Sequence, residues 1–219
     1  AGGVGETGVV ELAATSGITL LEALRPLEAH TLGLGEAIAG ALDRGVERLV
    51  IALGGSASTD GGAGALTALG ARLLDVAGAP VALGARGLAA IDRIDSDALR
   101  PRPVGGVVLL TDVDNPLLGP RGAAAVFGPQ KGLDSATQPL AEAGLGHWAA
   151  LHPRVDPGLQ GAGAAGGTAF GLLAWGATIT PGAAAIADLL GLPTALAGAD
   201  LVVTGEGRFD GQSSGGKAP

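Results

Sequence analysis

Three short apolar runs in this chain each empty into a glycine-rich loop: RLVIAL (48–53) into GGSASTDGGAG, VGGVVLL (104–110) into TDVDNPLLGPRG, and ADLVVT (199–204) into GEGRFDGQ. Runs of Val, Ile and Leu without polar interruption read as strands covered on both faces, which is the pattern of a parallel sheet. VVELAA (9–14) is a weaker strand-like run. Parallel strands need crossovers, and the helical periodicity supplies them. GEAIAGALDRG (35–45) reads as an amphipathic helix stopped by glycine, ALTALGARLLD (65–75) has apolar residues at helical spacing, and SATQPLAEAGLGHWAALH (135–152) opens on a serine N-cap. GGTAFGLLAWGA (166–177) and PGAAAIADLLG (181–191) follow, the latter with Pro181 in its first turn and Gly191 at its end. The predicted fold class is α/β: a layered, largely parallel sheet with helices on its faces. In such folds ligands gather outside the carboxyl ends of the strands, where these loops sit.

Composition narrows the partner. The 219 residues are 47% hydrophobic, enough for a full core, and the 41 glycines cluster between apolar stretches without a collagen period. A net charge of −8 with no basic cluster argues against nucleic acid or an anionic membrane surface. No charge-free run reaches the roughly 18 residues of a membrane span, and there is no signal-peptide pattern at the start. The absence of cysteine excludes disulfides and thiolate metal sites and fits a cytoplasmic protein. A small molecule is the expected partner. The chain has no methionine, starts at Ala1 and stops at Pro219 in a glycine-rich loop, so it reads as a piece of something longer. Of its 13 basic residues only Lys131 and Lys217 are lysines, each beside glycine, where a compact ammonium can approach a phosphate.

Two phosphate motifs fit by spacing and fail by context. GAGAAG (161–166) matches G-x-G-x-x-G but follows no strand, and GQSSGGK (211–217) matches the P-loop spacing but has Ala218 where a hydroxyl must meet Mg²⁺. The strand-end loops themselves carry the chemistry. Ser56, Ser58 and Thr59 offer hydroxyls, and Asp60 either caps the following helix or serves the site. Asn115 before Pro116 reads as a turn-forming scaffold residue. Asp112 and Asp114, two apart, face opposite ways if the chain stays extended. His30, His147 and His152 lack metal-ligand spacing, and no role is assigned to them.

Taken together, GGSASTDGGAGALTALGARLLD, TDVDNPLLGPRGAAAVFGPQKG, GAGAAGG and DLVVTGEGRFDGQSSGGKAP resemble, in order and nearly in wording, the glycerate kinase family whose bacterial members make 2-phosphoglycerate. VVELAATSG and TLGLGEAI extend the resemblance along the chain. The resemblance implies a two-domain enzyme in which a second α/β domain is inserted into a Rossmann-like one. This chain is similar to the inserted part, with residues 1–204 as the substrate-side domain and 205–219 as the loop at the seam to a Rossmann-like domain that the chain lacks. It implies phosphoryl transfer from ATP, with Mg²⁺, to a hydroxyl of D-glycerate by a cytoplasmic enzyme that forms a homodimer, and inactivity of the isolated piece.

The residues carried over are these. Asp112 and Asp210 are the catalytic carboxylates, Asp112 as the base or hydroxyl-orienting group, and Asp114 is a Mg²⁺ or structural ligand. Arg121, Lys131, Arg208 and Lys217 are the cations for phosphate or for the glycerate carboxylate, and Ser56, Asp60 and Glu206 complete the binding set. The alternative is a non-catalytic carboxylate-binding or regulatory module that keeps the fold. Intact acidic and basic residues in every matched loop favour the kinase.

Overall fold

A computed structural model describes residues 5–182, 187 and 190–203 of the chain. Its centre is a four-stranded parallel sheet, ordered β1 (Thr7–Glu11), β2 (Arg48–Ala52), β5 (Val107–Leu110), β6 (Thr178–Thr180). Register is set by Val9 opposite Val50, Leu49 opposite Val107 and Leu109 opposite Ile179. In β2 the consecutive residues Leu49, Val50 and Ile51 are all buried. Successive side chains point to opposite faces, so both faces of the sheet are covered, as the uninterrupted apolar run predicts. The other sheet is a small antiparallel pair, β3 (Arg72–Leu74) with β4 (Arg93–Asp95).

The crossovers are helical. α1 (Leu12–Ser16) follows β1 directly, and α2 (Leu32–Asp43) packs against α3 (Ala63–Ala68), α1 and β1. α4 (Ala85–Leu88) contacts α6 (Gln138–Ala150), and α5 (Ala123–Phe127) touches both α6 and α7 (Ala164–Trp175). α8 (Leu192–Leu196) closes the described chain. One hydrophobic core joins these layers, with Leu12, Leu34, Ile38, Leu49, Ile51, Leu109, Trp148 and Phe170 fully enclosed. Trp148 also spends its only donor, the indole N–H bonding to the Gly61 carbonyl at 3.0 Å, which fixes the loop after β2 to α6.

Several boundaries differ from the sequence reading. The expected helix over 65–75 ends at Ala68, with Leu69 as its C-cap, because Gly70 has a φ of 108°, and a Cβ there would lie 2.2 Å from the Ala98 carbonyl; Arg72–Leu74 then forms β3. The run at 9–14 splits into the end of β1 and α1. α6 starts at Gln138 with Thr137 at its N-cap rather than Ser135, and Asp134 closes the turn leading into it. The Asp134 carboxylate accepts from the Thr137 hydroxyl at 2.7 Å, the Thr137 N–H at 2.8 Å and the Ala136 N–H at 3.0 Å, and these bonds, the hydroxyl's first, hold its carboxyl below the ordinary range. The first turn of the expected helix at 166–177 is kinked, with Ala165, Gly166 and Gly167 at positive φ. Leu201–Val203, expected as the third long strand, is exposed and outside both sheets; the sheet's fourth strand is the three-residue Thr178–Thr180. Most of the expected helix at 181–191 lies outside the described residues.

His152 adds a pH dependence to this core. Its ring packs edge-on against Trp148 with centroids 4.2 Å apart and against Phe170 at 5.9 Å, and burial pushes its pKa below the ordinary 6.5, opposed by the bond to the Trp148 carbonyl. A depressed folded pKa means that the unfolded chain takes up the proton first, so the stability present above pH 6.5 is lost as pH falls through the folded value. Thermal melts between pH 7.5 and pH 5 should show a falling Tm, and His152→Phe, which keeps the ring contacts, should flatten that slope. An unchanged slope in the variant would mean that His152 already titrates normally in the fold.

Candidate active site at the carboxyl ends of the sheet

The strands are parallel, so their carboxyl ends lie on one edge, where the segment after α1 and the loops leaving β2 and β5 converge. A cleft of about 440 Å³ opens between them, lined by Leu53, Gly55, Ser56, Val113, Lys131 and Ala165 among others. The loop after β2 is clamped to the segment after α1. The Ile18 N–H donates to the Gly55 carbonyl at 2.8 Å and the Ala57 N–H to the Ser16 carbonyl at 3.1 Å, which fixes the backbone on both sides of Ser56.

Lys131 sits on a single 3₁₀ turn, Pro129–Lys131, between α5 and Gly132, whose φ of 93° turns the chain away. It is only 2% exposed. Its Nζ donates to Ser56 Oγ at 2.7 Å and to the Ser58 carbonyl at 2.6 Å. Burial pushes its pKa down to about 7, with the Asp60 carboxylate pulling the other way. Asp60 is fully buried and heavily engaged. It accepts from the Thr31 N–H at 2.8 Å, the Thr31 hydroxyl at 2.9 Å, and the Gly62 and Gly64 N–H groups at 3.2 Å each. This ties the starts of α2 and α3 together, the capping arrangement that the sequence offers as one of its two readings for Asp60. Ser58 Oγ and Thr59 Oγ1, in the same loop, are buried without a partner among the described residues.

The kinked turn at 165–167 closes over this pair. The Gly61 N–H donates to the Gly166 carbonyl at 3.1 Å, and a Cβ on Gly166 would stand 2.0 Å from the Ser58 carbonyl and 2.8 Å from Lys131 Nζ. Ala165, the only non-glycine residue at positive φ among the described residues, lines the cleft itself. Sequence reasoning set GAGAAG aside because no strand precedes it. Its purpose is a close approach to a distant loop, and the surviving signal is glycine density alone.

The carboxylates lie in the neighbouring cleft, which shares Val113 as a wall and is lined by Asp112, Asp114, Gln160, Thr178 and Pro181. β5 ends at Leu110, and the Val113 N–H reaches back to Thr111 Oγ1 at 3.4 Å, so the segment is not extended and both carboxylates line one space. Asp112 accepts from the Gly182 N–H at 3.0 Å. Asp114 is paired with Arg121 at 3.0 Å, both exposed, and the Asn115 side-chain amide donates to the Arg121 carbonyl at 2.8 Å, the scaffold role its position predicts. The structure thus brings Ser56, Asp60 and Lys131 together, and Asp112, Asp114 and Arg121 together across Val113. Glu206, Arg208, Asp210 and Lys217 lie outside the described residues.

Among the described residues no group of three or more His, Asp or Glu side chains could hold a metal. Mg²⁺ asks for less, since it keeps its waters and takes one or two carboxylates plus phosphate oxygens, and the hard oxygen donors of Asp112 and Asp114 fit that demand. No helix among the described residues is long and apolar enough to cross a membrane.

The comparisons with known proteins decide the family. The model of the Glycerate kinase family matches residues 2–219. The chain belongs to the glycerate kinase family. It is 42% identical to glycerate kinase of Bacillus subtilis and 41% identical to glycerate 2-kinase of Escherichia coli, in each case over 99% of this chain and 59% of the relative. A solved structure assigned to glycerate kinase 2 of Salmonella typhimurium LT2 superposes with a TM-score of 0.88 at 43% identity, over 95% of this chain and 58% of that one. The chain therefore spans about three-fifths of the length of these relatives. The layered parallel α/β fold expected from its sequence is the fold it has.

Proposed function

We propose that this chain is the substrate-side part of an ATP-dependent kinase that phosphorylates D-glycerate to 2-phosphoglycerate. The observation that carries the reading is the buried Lys131–Ser56 pair in a cleft at the carboxyl ends of the parallel strands, in a chain of the glycerate kinase family. The relatives' names support glycerate as the substrate, and the name glycerate 2-kinase supports transfer to its 2-hydroxyl.

In this reading residues 1–204 form a domain inserted into a Rossmann-like one, and 205–219 cross the seam, so turnover needs the full-length protein, acting as a cytoplasmic homodimer. Ser56 Oγ meets a substrate oxygen across the cleft. Asp112 orients the acceptor hydroxyl, and its exposed position leaves it free to do so. Asp114 with Asp112 would hold Mg²⁺, which supplies charge neutralisation on the transferring phosphates. Arg121 holds Asp114 in place until phosphate competes for it, and Arg208, Lys217, Glu206 and Asp210 complete the set from the seam. The described residues contain no P-loop or dinucleotide turn, which fits a nucleotide held from the other side.

A coupled assay of ADP release with full-length protein tests this. D-glycerate should be turned over about tenfold or more faster than lactate, because a site that bonds a hydroxyl rejects the analogue lacking it. Equal rates, or ADP release that ignores both, would remove glycerate as the substrate and leave a carboxylate-binding module.

A further inference from the structure

We infer that Ser56 and Lys131 form a relay that accepts the proton of the substrate hydroxyl, Ser56 touching the substrate and Lys131 acting through it. This deepens the kinase reading above and rests on it. A lysine that clamps phosphate needs its head group in the cleft. Lys131 is 2% exposed, and both of its bonds run to the loop after β2. The Ser58 carbonyl can only accept, so one N–H is committed there. Ser56 Oγ can donate or accept, so in the uncharged amine the lone pair on Nζ faces a hydroxyl proton 2.7 Å away, heavy atom to heavy atom.

Three features hold that geometry. The backbone around Ser56 is fixed by the bonds from Ile18 and Ala57. The Gly166 turn lies against Nζ closely enough that even a methyl group would not fit between them. Asp60 is the charged group acting on Lys131, and its oxygens already take four donors, so it contributes field without taking the proton. Burial leaves the amine about half uncharged near neutral pH, where a general base works best.

The step balances. The substrate O–H bond breaks and its proton passes to Ser56 Oγ as the Oγ proton passes to Lys131 Nζ. The substrate oxygen bonds to the γ-phosphorus of a nucleoside triphosphate, and the bond from that phosphorus to the diphosphate breaks with its electron pair on the leaving oxygen. The lysine then returns its proton to water as products leave.

Labelled lysine makes a direct test in the full-length protein. With ¹³C-labelled lysine, the signal lost in Lys131→Arg is that of Lys131. Lys131 should titrate near neutrality, and the acid limb of kcat in the full-length enzyme should follow that titration. Ser56→Ala and Lys131→Met should each lower kcat about 100-fold, as general-base groups do, with the glycerate KM within threefold and the double variant no worse than either single one. Lys131→Arg, which keeps charge and cannot take a proton, should not rescue; Ser56→Thr should recover activity to within tenfold. Lys131 titrating above pH 10 would overturn the relay whatever the kinetics. So would Ser56→Ala or Lys131→Arg with near-normal kcat and a raised KM, the mark of a binding contact alone. A wild-type enzyme that makes no phosphoglycerate while Lys131 still titrates near neutrality would instead overturn the kinase reading, and the relay with it.

Discussion

Asp112→Asn in the full-length enzyme is expected to cut kcat by about 100-fold or more, the usual cost of losing a positioned group at the reacting atoms. Stability should hardly change. Asp112 is exposed and makes one bond among the described residues, to the Gly182 N–H, which an asparagine oxygen can still accept. Surface changes of this kind usually stay within about 0.5 kcal/mol. The pair of readouts matters because Asp112 lies in the cleft beside the Lys131–Ser56 cleft, with Val113 between. A variant that turns over normally would confine the chemistry to the Ser56 side of Val113 and make Asp112 a turn residue.

Gly166→Ala should be among the more damaging single-methyl additions at the described glycines. The φ of 70° costs an L-residue about 1–2 kcal/mol. The added Cβ would meet a carbonyl at 2.0 Å and Lys131 Nζ at 2.8 Å, and overpacking of this kind adds about 1–3 kcal/mol. A loss of about 2–5 kcal/mol follows from those two terms, and Tm should drop by roughly 5–15 °C at this chain length. Because the collision is with the lysine and its carbonyl partner, activity should fall at temperatures where the variant is still folded. A variant with wild-type melting would mean that the 161–167 turn does not lie on the loop after β2.

The sheet and its ligand-bearing edge were legible because they depend on local pattern. β2 and β5 are uninterrupted apolar runs that stop at Gly54 and at Thr111, and a strand of that kind has few alternatives. Helix ends set by tertiary contact were not legible. Nothing in ALTALGARLLD says that Gly70 must turn against Ala98, and Thr178–Thr180 is too short to stand out, gaining strand geometry only by pairing with β5. At the site, the loop residues Ser56, Asp60, Asp112 and Asp114 were readable as strand-end polar groups. The burial of Lys131 was not, since a lysine flanked by glutamine and glycine looks solvated, and its partners are 73 and 75 residues away. The same distance hid the 161–167 turn.

Transfer of phosphate to a glycerate hydroxyl is tested most directly by a ³¹P and ¹³C NMR time course of D-glycerate with Mg-ATP and the full-length protein. Steady loss of ATP with growth of 2-phosphoglycerate, the phosphorus coupled to carbon 2, is the expected result. Unchanged glycerate in the presence of folded protein that binds ATP would contradict it.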